Sequence, residues 1–310
     1  MSLALLFPGQ GAQHVGMGRA LATAFRPARQ TFQEADDTLG VRLTRLMWEG
    51  PEDELVLTMN AQPAILTHSI AVLRLAERRL GPASMAAGHS LGEYSAHVAA
   101  GTLGFAEALR TVRLRGELMG EAGRSRPGTM SAILGLDDGE VQGICEDAAA
   151  ESGAVVVPAN LNAPGQVVIS GDVDGIARAE SLARERGARR VVRLVVSGAF
   201  HSPLMQEAEE GLRAELESAE LGRPRFPVYA NVDAEPVCDA QTARNTLVRQ
   251  LTRPVRWSES VRAMVAAGAG RFVELGPGRV LAGLNRRNAR GVACHSAGGP
   301  DDLRRLGATV

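Results

Sequence analysis

The sequence predicts an α/β protein in which a mainly parallel sheet carries a smaller, inserted antiparallel sheet. Three observations lead to this prediction. Apolar, strand-like runs alternate with helical segments over most of the chain. A G-x-S-x-G motif at residues 88–92 follows an apolar run and precedes a helical segment, as in the nucleophile elbow of α/β-hydrolase-like folds. Between residues 127 and 196 the pattern is strand, helix, strand, strand, helix, strand, which is typical of the ferredoxin-like motif.

Length and composition are compatible with one large domain that carries a small one. The chain has 310 residues, of which 45% are hydrophobic and 22% are charged, and these values are typical of a globular protein with a sizeable core. We therefore predict an α/β-hydrolase-like catalytic domain formed by residues 1–126 and 197–310, with a ferredoxin-like subdomain inserted at residues 127–196. The division follows the change of pattern after a linker predicted at residues 124–128.

The balance of charges excludes several classes of function. The formal net charge is −1 at pH 7, which gives no reason to expect binding to nucleic acids or membranes. All 34 basic residues are arginine, so the sequence excludes both a Schiff-base lysine and a Walker-type lysine that binds phosphate.

Cysteine use and the apolar segments predict a cytoplasmic protein without a metal site. The three cysteines, Cys145, Cys238 and Cys294, are far apart and odd in number, which argues against a disulfide framework or a zinc site. Residues 1–7 form a short apolar run without a basic leader, so we predict a first buried strand and no signal peptide. No apolar stretch has the length needed to span a bilayer.

The first strand leads into a glycine-rich loop. Residues 3–7 are a continuous apolar run, as expected of a strand buried on both faces of a parallel sheet. The next loop contains Gln10 but no phosphate-binding motif, so we expect it to supply backbone N–H groups and an amide side chain to a pocket. A helix predicted at residues 60–80 has Pro63 near its first turn, and Gln62 beside it could reach the same site.

Ser90, at the centre of the elbow motif, is the candidate nucleophile. Glycines on both sides leave room for a strained turn from strand to helix. Such a turn exposes the serine hydroxyl at a helix N-terminus, where backbone N–H groups favour developing negative charge. The motif alone also fits a simple glycine-bordered turn with a capping serine, so the assignment depends on the rest of the chain.

A helix predicted at residues 104–120 contains three arginines. Arg110 and Arg113 are interpreted as solvated charges, whereas Arg115 is expected to point inward if it has an anion to hold.

Beyond Gly298 we predict a loosely ordered tail. The elements predicted between the inserted subdomain and this tail are a strand at 226–230, helices at 240–250 and 258–267, a strand at 271–275 and a helix at 280–286.

A serine nucleophile needs a base within hydrogen-bond reach, and six histidines compete for this role. His201 is preferred because it follows the inserted subdomain in a glycine-containing loop, where it could face the elbow across a cleft; the alternative is an ordinary loop histidine. No acidic residue forms a recognisable third member, so we expect a dyad in which a backbone carbonyl orients the imidazole. The remaining histidines are expected to be structural, exposed or turned away from the serine: His14, His68, His89, His97 and His295.

Three separated segments resemble one family of enzymes. They are FPGQGAQ at residues 7–13, GHSLGEYSA at 88–96 and GAFHSPLM at 198–205. In this order they closely resemble malonyl-CoA:acyl-carrier-protein transacylases, the discrete acyltransferases of fatty-acid synthesis, which are similar to the acyltransferase domains of polyketide synthases. The likeness runs nearly end to end and includes QPA at 62–64, LRG at 114–116, residues 160–171, residues 250–257 and VELGPG at 273–278.

The resemblance implies a ping-pong acyl transfer that needs no bound cofactor. Ser90, deprotonated by His201, would attack the thioester of malonyl-CoA. The backbone N–H groups of Gln10 and Leu91 would hold the oxyanion. CoA would then leave, and the phosphopantetheine thiol of acyl carrier protein would take the malonyl group. Gln250 matches the position whose backbone carbonyl orients the histidine.

Four further residues match positions in the substrate pocket of the family. Arg115 would pair with the free malonyl carboxylate and disfavour neutral acyl chains, because an unpaired buried arginine is costly. Gln62 and Asn160 match positions that line the pocket. Phe200 resembles polyketide acyltransferases that choose malonyl over methylmalonyl, whereas discrete fatty-acid enzymes often carry a smaller residue there. Both a fatty-acid and a polyketide carrier protein therefore stay open.

Two other functions stay open beside transfer. A serine acyl hydrolase or thioesterase would share Ser90 and His201 but has no evident need for Arg115. A non-catalytic module that docks carrier proteins would not need an intact Ser-His pair. Discrete members of the resembled family usually act as monomers, which we expect here. Four arginines are expected either to contact CoA phosphates or an acidic carrier protein or to form a solvated face: Arg189, Arg190, Arg286 and Arg287.

Overall fold

The computed structural model describes residues 2–306 and arranges their strands in two sheets. In chain order the strands are β1 (Ser2–Phe7), β2 (Ala83–Gly88), β3 (Gly128–Leu134), β4 (Val156–Ala163), β5 (Gln166–Asp172), β6 (Arg190–Arg193), β7 (Val228–Tyr229), β8 (Pro236–Val237), β9 (Ala269–Leu275) and β10 (Ala293–Ala297). The helices are α1 (Arg19–Ala24), α2 (Arg26–Leu39), α3 (Leu43–Glu49), α4 (Glu52–Leu55), α5 (Thr58–Leu80), α6 (Gly92–Ala100), α7 (Phe105–Ser125), α8 (Asp138–Ser152), α9 (Val173–Glu185), α10 (Gln206–Ser218), α11 (Ala240–Arg249), α12 (Trp257–Ala266), α13 (Val280–Asn288) and α14 (Pro300–Leu306).

The first sheet is mainly parallel, with the strand order β10-β9-β1-β2-β7-β8. β1 pairs in parallel with β2 on one side and with β9 on the other, whereas β7 and β8 pair antiparallel. At the carboxyl edge, Phe7 pairs with Gly88, and Leu6 pairs with Glu274. The predicted parallel sheet is confirmed. The loops that follow β1, β2 and β9 therefore lie side by side, at the edge where open α/β sheets bind ligands.

β1 is buried on both of its faces. Leu3, Leu5 and Phe7 belong to the large core that also contains residues of α2, α5 and α7. Ala4 and Leu6 belong to a second core, formed with residues of α12 and α13. Because successive side chains of a strand point to opposite faces, a strand covered on both sides has a continuous apolar sequence and not an alternating one.

The second sheet is antiparallel, with the order β4-β5-β3-β6. α8 and α9 pack on it through a separate apolar core that includes Ile133, Ile144, Ile169 and Ile176. This is the strand order of the ferredoxin-like motif, so the predicted inserted motif is confirmed. The division of the chain into domains at residues 127 and 196 stays a prediction.

Two predicted local features are wrong. α7 continues to Ser125, into the predicted linker, because Ala122 is buried in the large core and its carbonyl accepts a hydrogen bond from the Arg126 N–H. α5 begins at Thr58, so Pro63 lies inside the helix and not in its first turn. Proline has no N–H to donate, and the Met59 carbonyl four residues earlier accepts a hydrogen bond from Arg113 instead (3.2 Å).

Arg113 is therefore not a plain solvated charge, in contrast to the prediction. Its guanidinium also binds Asn60 Oδ1 (2.7 Å) and Glu117 (2.6 Å), and the side chain is half-buried. Arg110 is exposed and pairs with Glu107, as a solvated charge does.

The chain beyond Gly298 is not loosely ordered where the structure describes it, which corrects the prediction. α14 buries Leu303 and Leu306 against the large core. Asp302 accepts hydrogen bonds from the N–H groups of Gly298 and Gly299, both at 3.1 Å. The rest of the predicted tail, 307–310, and the first residue of the predicted leading strand lie outside the described residues. None of the helices between residues 2 and 306 combines the length and the apolar character needed to cross a bilayer.

Candidate active site

The turn between β2 and α6 holds Ser90 in a strained conformation. Its φ angle is 49°, in the left-handed region that L-residues other than glycine rarely adopt. A Cβ at Gly88 would lie 1.9 Å from the carbonyl carbon of Gly92, and a Cβ at Gly92 would lie 2.1 Å from the Phe7 carbonyl oxygen. Only glycine fits at either position, and the two glycines let the turn bring the serine hydroxyl to the carboxyl edge of the sheet.

His201 lies directly against this hydroxyl. Ser90 Oγ is 2.8 Å from His201 Nε2, and His201 Nδ1 is 2.8 Å from the backbone carbonyl oxygen of Gln250. A carbonyl only accepts, so Nδ1 carries the ring proton and Nε2 is left to accept the proton of the serine hydroxyl. The backbone carbonyl of Gln250 therefore orients the imidazole.

Electrostatics favour the neutral imidazole. Burial of His201, together with the nearby positive charge of Arg115, lowers the pKa of the ring to about 3. A histidine that is neutral at physiological pH can take a proton, which a general base requires. Burial also lowers the pKa of His68 to about 4 and that of His97 to about 3. Neither of these two rings is hydrogen-bonded to the serine in the described part of the chain. His68 Nε2 binds the Gly298 carbonyl, and His97 is a buried residue of α6.

Arg115 reaches the same serine from α7. It is 1% exposed, and its Nη2 lies 3.2 Å from Ser90 Oγ. Two amide oxygens hold the guanidinium: Gln62 Oε1 accepts from Nη1 at 2.6 Å and Gln250 Oε1 accepts from Nη2 at 2.9 Å. Nε is buried without an acceptor in the described part of the chain. The cation therefore has only neutral hydrogen-bond partners and is electrostatically suited to hold an anion.

Two backbone N–H groups lie in the loops that meet at Ser90. Within residues 2–306, neither the N–H of Gln10 nor that of Leu91 donates a hydrogen bond. The Ser90 N–H differs, because it donates to Asn231 Oδ1 at 2.7 Å. Gln10 follows β1 and Leu91 follows β2, and the pairing of these strands brings the two loops together. The His89 N–H, which donates to the Phe7 carbonyl at 3.0 Å, holds the loops in contact.

Asn160 and Phe200 are both buried, Asn160 on β4 and Phe200 directly before His201. Asn160 is 7% exposed and forms a bridge from β4 to Val255, a few residues beyond Gln250. Phe200 is 6% exposed and belongs to the large core. Neither side chain is hydrogen-bonded to Ser90, His201 or Arg115 among the described residues.

Arg189, Arg190 and Arg286 are exposed, whereas Arg287 is half-buried and donates to the Pro164 carbonyl at 3.2 Å.

Three residues of the site have no counterpart in the sequence-based prediction. Asn231 Nδ2 donates to the Gly88 carbonyl at 2.8 Å, so its amide braces both sides of the elbow. Glu93, 0% exposed, accepts from the Asn231 N–H at 2.9 Å. Asn162 Oδ1 lies 2.8 Å from His89 Nε2, which holds His89 away from the serine, as expected. The acidic residue in the first turn of the elbow helix was a visible signal, and Asn162 lies in the segment 160–171 that resembles the family, whereas Asn231 lies in a segment without a motif.

Comparison with known proteins agrees with this geometry. The family description "Acyl transferase domain" matches residues 4–297. The chain is 45% identical over 302 residues to a malonyl CoA-acyl carrier protein transacylase from Bacillus subtilis, covering 97% of this chain and 95% of the relative. It is also 45% identical over 285 residues to the transacylase of the same name from Escherichia coli K12, covering 92% of each.

Solved structures give the same result. A type II PKS acyl-carrier protein in complex with its malonyl-transacylase (PlMCAT:AntF, holo) matches with a TM-score of 0.96 and 43% identity over the whole of both chains. An acyl carrier protein S-malonyltransferase from Vibrio cholerae matches with a TM-score of 0.95 and 41% identity, covering 99% of this chain and 100% of the other. The chain therefore belongs to the acyl transferase family and is similar throughout its length to malonyl CoA-acyl carrier protein transacylases.

Proposed function

We propose that this protein transfers a malonyl group from malonyl-CoA to the phosphopantetheine thiol of acyl carrier protein, through a malonyl ester on Ser90. The observation that supports the proposal is the position of two side chains, those of His201 and Arg115, around the hydroxyl oxygen of Ser90. His201 Nε2 lies 2.8 Å and Arg115 Nη2 lies 3.2 Å from Ser90 Oγ. Formation of a malonyl ester requires a base that takes the proton of the nucleophile. It also requires a cation near the nucleophile, which pairs with the free carboxylate of the malonyl group.

In the first half-reaction, His201 Nε2 takes the proton of the Ser90 hydroxyl while Oγ attacks the thioester carbonyl of malonyl-CoA. The negative charge that develops on the carbonyl oxygen is stabilised by the free N–H groups of Gln10 and Leu91. When the tetrahedral intermediate collapses, the carbon–sulfur bond breaks, and the imidazolium returns its proton to the departing CoA thiolate. The Gln250 carbonyl keeps Nδ1–H in place and stabilises the charged ring.

In the second half-reaction the same groups act in the reverse sense. His201 takes the proton of the carrier-protein thiol, and the sulfur attacks the malonyl ester of Ser90. The carbon–oxygen bond breaks and the proton passes to Oγ, which restores the free hydroxyl. Every proton and electron pair is supplied by the two thiols, the serine and the histidine, so neither step calls for a metal or a bound cofactor.

Arg115 is proposed to select a carboxylated acyl group. Its charge is buried, and its acceptors among residues 2–306 are the neutral oxygens of Gln62, Gln250 and Ser90, so a malonyl carboxylate would be its first anionic hydrogen-bond partner. An acetyl group leaves the cation without such a partner and gains nothing from it.

We further propose that Asn160 and Phe200 line the acyl pocket. The apolar ring of Phe200, next to His201, would restrict branching at the α-carbon of the acyl group.

We also propose the setting in which the enzyme works. Residues 1–126 and 197–310 would form the catalytic domain and residues 127–196 the inserted subdomain. We propose that the protein acts as a monomer. Cys145, Cys238 and Cys294 are free thiols, in keeping with the reducing cytoplasm, where we place the protein. Light scattering after gel filtration measures the mass of the particle in solution and tests the monomer directly.

Intact-mass spectrometry tests the activity. We expect malonyl-CoA to add one malonyl group to the wild-type protein but not to Ser90→Ala, and holo acyl carrier protein to remove it with an equal gain of mass on the carrier. We expect Arg115→Ala to load malonyl more slowly, relative to acetyl, than the wild type does. Loss of the adduct to water at the same rate without the carrier would show a hydrolase instead. Equal loading of acetyl and malonyl by the wild type would exclude the role of Arg115.

A further inference from the structure

Glu93 is a buried carboxyl group that takes no part in the acyl-transfer steps. It lies in the first turn of α6, three residues beyond Ser90, and is 0% exposed. Its Oε1 atom has no hydrogen-bond partner in the described part of the chain. A carboxyl group buried in this way is costly to keep, although the N-terminus of the helix partly compensates its charge.

The other oxygen of Glu93 receives two hydrogen bonds from residues of the site. Oε2 accepts from the Asn231 N–H at 2.9 Å and from Gln250 Nε2 at 2.8 Å. A carboxylate oxygen can only accept, so it selects the NH₂ end of the Gln250 amide. The opposite end, Oε1, is then turned toward Arg115 Nη2, which donates to it at 2.9 Å.

The orientation of this amide matters because its two ends have nearly the same shape. If the amide were rotated by half a turn, its NH₂ group would face the guanidinium of Arg115, and two donors would oppose each other. Arg115 would lose one of the two oxygens that hold it beside Ser90. The Ser90 carbonyl also accepts from Gln250 Nε2, at 3.1 Å, but the bond to Glu93 is shorter and is the only charge-assisted one that this NH₂ group makes.

We propose that Glu93 is a positioning residue for substrate selection, which fixes the Gln250 amide so that its oxygen holds Arg115 in place for the malonyl carboxylate. The inference rests on the role proposed above for Arg115. It predicts that Glu93 governs the preference for malonyl over acetyl, because only the malonyl group uses the guanidinium. The Ser90–His201 contact does not involve the Gln250 side chain, so loading of a neutral acyl group depends on Glu93 much less.

The test compares single-turnover loading of malonyl and acetyl from their CoA thioesters in Glu93→Ala and Glu93→Gln. At pH 8, where the Glu93 carboxyl group is ionised, we expect the malonyl-to-acetyl ratio of second-order loading constants to fall by about tenfold in Glu93→Ala, the usual effect of losing one charge-assisted hydrogen bond. Glu93→Gln keeps an acceptor oxygen for Gln250, so its ratio is expected to stay within about threefold of that of the wild type. An unchanged ratio in Glu93→Ala overturns the proposal. A ratio that falls as far in Glu93→Gln also overturns it, because charge and not orientation would then be responsible.

Glu274→Ala is a matched control for the loss of a buried carboxyl group. Glu274 is also 0% exposed and accepts from the N–H groups of Leu281 and Ala282, both at 3.0 Å, but it has no bond to Gln250 or Arg115. We expect this variant to lose stability and keep the wild-type ratio. A fall in its ratio equal to that of Glu93→Ala would show a general effect of destabilisation and overturn the proposal.

Two further variants keep the test decisive. If Glu93→Ala does not fold, Glu93→Asp replaces it, because a side chain shorter by one methylene draws the carboxylate away from Gln250 Nε2. A retained malonyl preference in folded Glu93→Asp then overturns the proposal. Arg115→Ala separates the two levels of the argument. If it leaves the ratio unchanged, the role of Arg115 fails and the inference fails with it; if it abolishes the preference while the Glu93 variants do not, only the inference fails.

Discussion

Glu93→Gln removes a buried ionisable group without changing its size, so it is expected to change how stability depends on pH. Burial of Glu93 raises the pKa of the carboxyl group from its ordinary value of 4.5 to about 7. The hydrogen bonds from Gln250 and Asn231 oppose this rise but do not cancel it. Of the charged groups that act on the carboxyl, Asp233 raises its pKa and Arg115 lowers it. In the unfolded chain none of these effects operates.

The sign of the effect follows from these values. Between the two pKa values the folded protein binds more protons than the unfolded chain, so the free energy of unfolding falls as the pH rises through this window. One pKa unit corresponds to about 1.36 kcal/mol. The carboxyl group of Glu93 therefore costs the wild type about 2–3 kcal/mol of stability between about pH 5 and pH 8. Glutamine does not titrate and loses nothing over this range.

Urea unfolding of both proteins at the two pH values measures the difference. Glu93→Gln also carries a constant cost, because its NH₂ group takes the place of the unpartnered Oε1 atom. This cost is the same at both pH values, and all other titrations are the same in both proteins, so neither contributes to the change in the difference between them. We expect the stability of Glu93→Gln relative to the wild type to increase by about 2–3 kcal/mol from pH 5 to pH 8. Parallel pH profiles for the two proteins would refute the assignment of a raised pKa to this carboxyl group.

Three further predictions concern the elbow and the base. Gly88→Ala is expected to lower the free energy of unfolding by about 3 kcal/mol or more, because its Cβ would lie 1.9 Å from the backbone of Gly92. Gly283→Ala, in open space on a helix, should raise the free energy of unfolding by about 0.5–1 kcal/mol. Thermal or urea unfolding measures both variants, and equal effects would contradict the predicted clash at Gly88. Asn231→Ala leaves the N–H of the nucleophile without its acceptor, so stopped-flow acylation should be about tenfold to a hundredfold slower, and an unchanged rate would rule out this brace. His201 has a pKa of about 3, so the rate of acylation at saturating malonyl-CoA should not change between about pH 5 and pH 8. The measurement uses Glu93→Gln, because Glu93 itself titrates in this range. An inflection of the rate near pH 6.5 would show a histidine of ordinary pKa.

The parts of the fold that could be predicted from sequence are those encoded over short distances. The elbow is recognisable locally, because Gly88, Ser90 and Gly92 stand within five residues of sequence. β1 is recognisable from its continuous apolar run, which reflects burial on two faces. The order of strands and helices in the inserted motif is likewise visible along the chain, and with it the antiparallel sheet.

The features that sequence could not supply depend on distant contacts. Asn231 lies 141 residues from Ser90 in the chain, and nothing in its neighbourhood marks an asparagine that braces an elbow. Glu93 could be read as an ordinary acidic residue at a helix N-terminus until its bonds to Asn231 and Gln250 are seen. α14 is different, because Pro300 at its start and acidic residues in its first turn are local helix signals that the prediction of a loose tail overlooked.

Gln250 explains why activation of the nucleophile and recognition of the substrate are linked in this site. Its backbone carbonyl binds His201 Nδ1 at 2.8 Å, while its side-chain oxygen binds Arg115 Nη2 at 2.9 Å. One residue at the end of α11 therefore sets both the direction of the base and that of the cation. If Glu93 fixes the Gln250 side chain as proposed, a change of Glu93 displaces the cation and leaves the base in place, so acyl preference and acylation chemistry are expected to be separable by mutation.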